Sequence, residues 1–97
     1  MKPAKSDILR ILSLYKPALE QKYNLDKLGL FGSYARDEAV ESSDIDILVA
    51  FKTPVGMEIV DLVLELEDLL NHKVDIITLN TIKNRLLPYI EQDVIYV

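Results

Sequence analysis

Asp44-Ile45-Asp46-Ile47-Leu48-Val49-Ala50-Phe51 is the stretch on which the fold turns. Its Ile45–Phe51 part is rich in branched residues and is stopped by Pro54, which predicts a strand. Two aspartates at its head are unexpected, because aspartate is depleted in strands and adjacent like charges repel. Residues two apart in a strand project from one face, so Asp44 and Asp46 point together while Ile45 and Ile47 point into a core. At ~5 Å the repulsion is of order 1 kcal/mol near a surface and grows with desolvation. A cation held between the carboxylates reverses its sign. Paired carboxylates suit magnesium, a hard ion that commonly bridges protein carboxylates to substrate phosphates. The alternative is that Asp44 caps a loop and Asp46 lies on a solvated edge.

On the N-terminal side, Lys27–Phe31 (KLGLF) predicts a shorter strand that hands over at Gly32 to a helical turn over Ser33–Glu38. Glycine at that junction lets a phosphate approach the backbone, and Ser33 adds a hydroxyl donor beside outward-pointing amides. A plain turn has the same composition. Further upstream, Ile8, Leu12, Tyr15, Leu19 and Tyr23 recur at helical spacing, with Ser6 as N-cap and a kink at Pro17.

On the C-terminal side, Gly56–Asn71 predicts a long helix, Val74–Thr78 (VDIIT) a third strand, and Thr81–Ile90 a helix disturbed by Pro88. Val94–Val97 is a candidate edge strand. The long helix is apolar over more than one stripe, from Met57 and Val60 through Leu64 to Leu70. Deep burial and a partner surface both account for that. His72 reads as a C-terminal cap of this helix, with no catalytic role. If the Val74–Thr78 strand lies beside Ile45–Phe51, Asp75 joins the other two aspartates, and three acids could hold two metals.

The remaining properties bound the function. A chain of 97 residues predicts one domain, 1–97, with a modest core. Its composition, 49% hydrophobic and 28% charged, is that of a soluble globular protein. The net charge of -5 argues against a nucleic-acid grip. The chain has no cysteine, which excludes thiolate metal sites. No signal peptide or membrane span can be drawn, so the cytoplasm is the expected compartment. The expected architecture is α/β (α+β): a small mixed sheet of three to four strands flanked by helices.

Taken together, Gly32-Ser33-Tyr34-Ala35-Arg36, then Asp44-Ile45-Asp46-Ile47, then Val74-Asp75 resemble the signature of the DNA polymerase beta-like nucleotidyltransferase superfamily. The phrase LFGSYAR…SDIDILV and the short length resemble more narrowly the minimal nucleotidyltransferase (MNT) antitoxins, which are paired with HEPN-domain toxins. The resemblance runs from about Leu28 to Ile77 and again from Arg85 to Val97. It implies that Gly32 and Ser33 hold a triphosphate, that Arg36 neutralises phosphate charge, and that Asp44 and Asp46 ligate one or two Mg2+. Asp75 would complete the metal and catalytic triad and draw the proton from the attacking hydroxyl. Arg36 has a second reading, as a surface arginine paired with Asp37 or Glu38.

By the same resemblance the substrate is ATP and the acceptor is a tyrosine of a HEPN ribonuclease toxin. An antitoxin that only masks its toxin is the alternative. A small-molecule modifier would need a further domain to hold its acceptor. Tyr34 is expected to line the nucleotide. One position departs from the family pattern: Asp37 stands where a glycine usually follows the arginine, so a shifted turn and weakened nucleotide binding are expected there.

Overall fold

The computed structural model describes residues 2–97. Strand β1 (Leu25–Phe31) runs antiparallel to β2 (Ile45–Phe51), and β2 runs parallel to β3 (Val74–Thr78). A two-residue strand β4 (Ile95–Tyr96) pairs antiparallel with the free edge of β1, giving the order β3-β2-β1-β4. The sheet is therefore mixed and four-stranded, as the sequence predicts. A parallel pair needs a long crossover, and the helix α3 (Glu58–Leu70) supplies it between β2 and β3. No helix among the described residues is long and apolar enough to cross a membrane.

The N-terminal helix α1 (Lys5–Tyr23) and α3 close one face of the sheet. Ile8, Leu12, Leu19 and Tyr23 from α1 meet Leu62, Leu66 and Leu70 from α3 over Leu28, Leu30, Ile45, Ile47 and Val49. Leu48 and Ala50 on the alternate face are buried as well, so β2 carries the continuous apolar run of a central strand. A register shift at Leu25/Lys27 explains how Leu25 and Leu28, three apart, both reach the core. The same irregularity starts β1 at Leu25, two residues ahead of the predicted Lys27.

Several local expectations are corrected. Helix α1 starts one residue before Ser6: the Ala4 carbonyl accepts from the Ile8 N–H at 3.0 Å, and no side chain caps the end. It continues as one helix through Pro17. Ser13, whose carbonyl loses its partner there, and Pro17 are both exposed, so water can satisfy the gap. Tyr15 sits at the margin of the apolar stripe and is 40% exposed rather than a core residue.

The predicted Thr81–Ile90 helix is two 3₁₀ turns (Leu79–Thr81 and Asn84–Leu86) followed by a short α4 (Leu87–Glu91). Pro88, lacking an N–H, sits in the first turn of α4, where none is needed. On α3, Leu62, Leu66 and Leu70 are buried, whereas Val60 and Leu64, and Met57 at the N-cap, are 49%, 59% and 78% exposed. The helix is thus buried along one face and carries exposed apolar residues along another.

Candidate active site

The site forms where β1 ends and β2 begins. After Phe31 the chain makes a single helical turn, α2 (Gly32–Ala35), closed by Arg36 N–H to the Gly32 carbonyl at 3.1 Å and Glu38 N–H to the Ser33 carbonyl at 2.8 Å. The turn is shorter than the predicted Ser33–Glu38. Gly32 has φ 73°, and a Cβ there would run into the carboxylate of Asp46. Glycine is required at this junction on both counts. Ser33 is half-buried, and among the described residues its hydroxyl has no partner.

Asp46 is the hub. It pairs across the antiparallel ladder with Phe31 and across the parallel ladder with Asp75. Paired residues on neighbouring strands share a face, so Asp46 and Asp75 project together, and Asp44, two residues back, lies on the same side. Ile45 and Ile47 between them are fully buried, as expected. Burial, then the charge of Asp75, then that of Asp44, raises the Asp46 carboxyl above the ordinary aspartate range, with Arg36 opposing the shift. Asp44, Asp75 and Arg36 are thus each within electrostatic reach of Asp46.

Among the described residues no three carboxylate or imidazole side chains are gathered so as to hold a metal ion by themselves. The aspartates instead form an open acidic edge, with Asp46 and Asp44 half-buried and Asp75 exposed. Such an edge fits a hard ion that takes part of its coordination from water and substrate phosphate. Crowding of carboxylates that raises a pKa in this way also marks where a cation would relieve the repulsion.

Arg36 lies beside the acidic edge but is engaged: its Nε donates to Glu38 at 2.9 Å and a terminal nitrogen lies 3.6 Å from Asp93. Pairing with Glu38 was one of its two predicted readings. Asp37 is not its partner. Asp37 has φ 60°, so the turn keeps the left-handed conformation a glycine would adopt there. Its carboxylate is exposed and pairs with Lys5 of α1 at 3.2 Å.

Tyr34 does not stand open beside the aspartates: it is 3% exposed, within the core, and among the described residues its hydroxyl has no partner. A cavity of about 260 Å³ beside it is bounded by Lys2, Lys5, Asp37 and Ala39, and none of the three aspartates borders it. His72 is not the cap of α3. Asn71 takes that place with φ 48°, while the His72 Nε2 lies 2.8 Å from the Ser43 carbonyl and its ring packs edge-on to Tyr34 at 6.0 Å. Sequence reasoning missed this contact, because no local pattern joins residues 43 and 72.

The profile of the family described as "Polymerase beta, Nucleotidyltransferase" matches residues 15–97. "Putative protein adenylyltransferase MJ0126" of Methanocaldococcus jannaschii is 44% identical over 95% of this chain and 96% of its own length. Protein adenylyltransferase MntA of Thermococcus cleftensis is 36% identical, over 94% of this chain and 93% of its own. A solved structure described as a minimal nucleotidyltransferase superimposes with a TM-score of 0.72 at 33% identity, over 94% of this chain and 89% of that one. An open carboxylate edge facing a glycine-serine turn, on this sheet, defines a nucleotidyltransferase, and the chain belongs to the polymerase beta nucleotidyltransferase family. Within it, the chain is similar to relatives named protein adenylyltransferases and to a minimal nucleotidyltransferase structure.

Proposed function

We propose that this protein, acting in the cytoplasm as a single domain over residues 1–97, transfers AMP from ATP to a tyrosine hydroxyl of a HEPN-domain ribonuclease toxin and thereby silences it. The observation that carries the reading is the direct pairing of Asp46 with Asp75 across parallel strands, with Gly32 pressed against Asp46. In the transfer the tyrosine oxygen attacks the α-phosphorus, a new O–P bond forms, the bond to the β-phosphate bridging oxygen breaks, and pyrophosphate leaves. Asp75, the most exposed of the three acids, is the group placed to accept the hydroxyl proton. Gly32 and Ser33 receive the triphosphate, and Arg36 counters its charge once it exchanges Glu38 and Asp93 for phosphate oxygens. Asp44, Asp46 and Asp75 would hold one or two Mg2+, which when bound supply charge neutralisation at the phosphates.

The acceptor is brought by a partner protein; the two main cavities of the described residues, beside Tyr34 and beside Phe51, border none of the three aspartates. The exposed Val60 and Leu64 of α3, with Met57 at its N-cap, offer that partner an apolar surface. A solved complex of this fold, at 22% identity and a TM-score of 0.58, holds a tri-AMPylated HEPN toxin of Shewanella oneidensis with its MNT antitoxin. It suggests the acceptor to try.

The exposed α3 surface also supports the second reading, an antitoxin that inhibits by masking alone. The two are separated by incubating this protein with its HEPN partner, ATP and Mg2+ and recording intact mass. One or more AMP units on a toxin tyrosine, inhibition that outlasts removal of this protein, and loss of both in Asp44→Ala/Asp46→Ala establish the transferase. Absence of added mass, with inhibition that needs continuous binding and survives the double variant, establishes the mask.

A further inference from the structure

The two halves of the site are separate loops: the turn carrying Ser33, and the segment before β2 carrying Asp44. One residue touches both. The His72 ring packs edge-on against Tyr34, the neighbour of Ser33, and its Nε2 reaches the carbonyl of Ser43, the neighbour of Asp44. A carbonyl only accepts, so Nε2 carries the hydrogen and donates it. The segment is closed on itself by Ser43 N–H to the Val40 carbonyl at 3.0 Å and Val40 N–H to the Ser43 hydroxyl at 2.9 Å. On the far side of Asp44, the Ile45 N–H donates to the Lys73 carbonyl at 3.0 Å. Asp44 is therefore suspended between two backbone anchors, both supplied by the turn His72-Lys73. That turn is itself fixed, because the Val74 N–H donates to Glu67 at 3.1 Å and Val74 begins β3 one residue before Asp75.

We propose that His72 is a positioning residue: it locks the Asp44 segment to the α3–β3 turn, and so sets Asp44 in register with Asp46, Asp75 and the Ser33 turn. The proposal rests on the reading that the three carboxylates act as one site, and it assigns His72 no contact with substrate. It also accounts for a histidine held half-buried at the end of an acidic helix, where capping falls to Asn71.

Two substitutions separate the hydrogen bond from the packing. His72→Phe keeps an aromatic edge against Tyr34 and removes the donor. His72→Gln restores a side-chain N–H at a similar reach. Amide hydrogen exchange by NMR on the full chain reads the anchors directly. In His72→Phe the Ser43 and Ile45 amides should exchange about tenfold faster, Leu28 and Leu30 should not change, and His72→Gln should recover most of the difference. Mn2+ titration by paramagnetic broadening should show affinity weakened about tenfold in His72→Phe and near wild type in His72→Gln.

Unchanged exchange at Ser43 and Ile45 in His72→Phe overturns the proposal. So does faster exchange spread evenly through the core, which would make His72 merely structural, and so does unaltered Mn2+ affinity. Both readouts are independent of transfer. A wild-type protein that adds no AMP while these shifts appear would therefore sink the proposed function and leave the positioning role standing.

Discussion

Gly32 lies against Asp46 so closely that a Cβ at position 32 would sit 3.0 Å from the Asp46 carboxylate carbon, nearer still to one of its oxygens. The Gly32–Ala35 turn and the Asp46 carboxylate are thus one packed unit. Gly32→Ala meets two penalties. A left-handed residue with a Cβ costs about 1–2 kcal/mol, and Asp46 must swing away. The variant should still fold, with a melting temperature lowered by about 5–10 °C. Binding of ATP with Mg2+, followed calorimetrically, should fall at least about tenfold because the hub carboxylate is displaced. Wild-type affinity in a folded Gly32→Ala protein would show that Asp46 does not need its observed place.

Asp46 gives the second expectation, with its sign fixed by burial and by Asp75 and Asp44. Its folded-state pKa lies above the ordinary 3.8. As pH rises, the unfolded chain releases this proton first, so the folded apo protein loses stability through the interval from 3.8 up to the raised value. Near neutrality the full penalty is present. Asp46→Asn removes it. The apo variant should melt higher than wild type at pH 7, and the gap should close as pH falls below 3.8, where Asp46 becomes protonated in both states. The same variant should lose Mg2+-dependent ATP binding. A lower melting temperature at neutral pH would mean that Asp46 is stabilised in the apo fold by contacts outweighing its neighbours' charge.

These two residues also show what could be read in the chain and what could not. Asp46 and Asp75 stand out because each interrupts an apolar, branched run, with Asp44 at the head of the first, and a charge in a strand demands a reason. Pairing of β2 with β3 then follows from a long helix between two such runs. The same logic fails for His72 and Asp93. Their partners, Ser43 and Arg36, lie on distant segments, and the contact with Ser43 is to a backbone carbonyl that every residue possesses. The α4 region misled because its apolar residues mimic a helical stripe while short-range 3₁₀ bonds and Pro88 decide its shape.

Asp37 supplies a test of whether the turn has adapted to an unusual residue. Aspartate tolerates the left-handed region better than most side chains, and here it also reaches Lys5. Glycine would relax the backbone, lose an exposed ion pair worth ~0–1 kcal/mol, and loosen the unfolded chain. These effects nearly cancel, so Asp37→Gly should melt within about 2–3 °C of wild type and bind ATP within about twofold. Asp37→Ala keeps the strain without the compensation and should be destabilised by about 1 kcal/mol. A large gain in nucleotide affinity for Asp37→Gly would instead show that the carboxylate, though it faces Lys5, still repels the triphosphate.

Arg36 is the cation that acts on Asp46, and it is held by Glu38 first and by Asp93 from the C-terminal stretch second. Phosphate oxygens must compete with both carboxylates for the guanidinium. Both ion pairs are exposed, so each is weak and easily exchanged, while a guanidinium on a triphosphate gains charge-assisted hydrogen bonds. Arg36→Ala should therefore weaken ATP binding about tenfold, with Mg2+ affinity in the absence of nucleotide little changed. Asp93→Asn removes one competitor without touching the site itself and should tighten ATP binding about twofold. The double variant Arg36→Ala/Asp93→Asn discriminates between routes. If Asp93 acts through Arg36, the gain from Asp93→Asn disappears in the Arg36→Ala background, and a titration series across the four proteins shows non-additivity. A gain that persists without Arg36 would mean that Asp93 repels the nucleotide directly. No effect of Arg36→Ala at all would leave its pairing with Glu38 as its whole role.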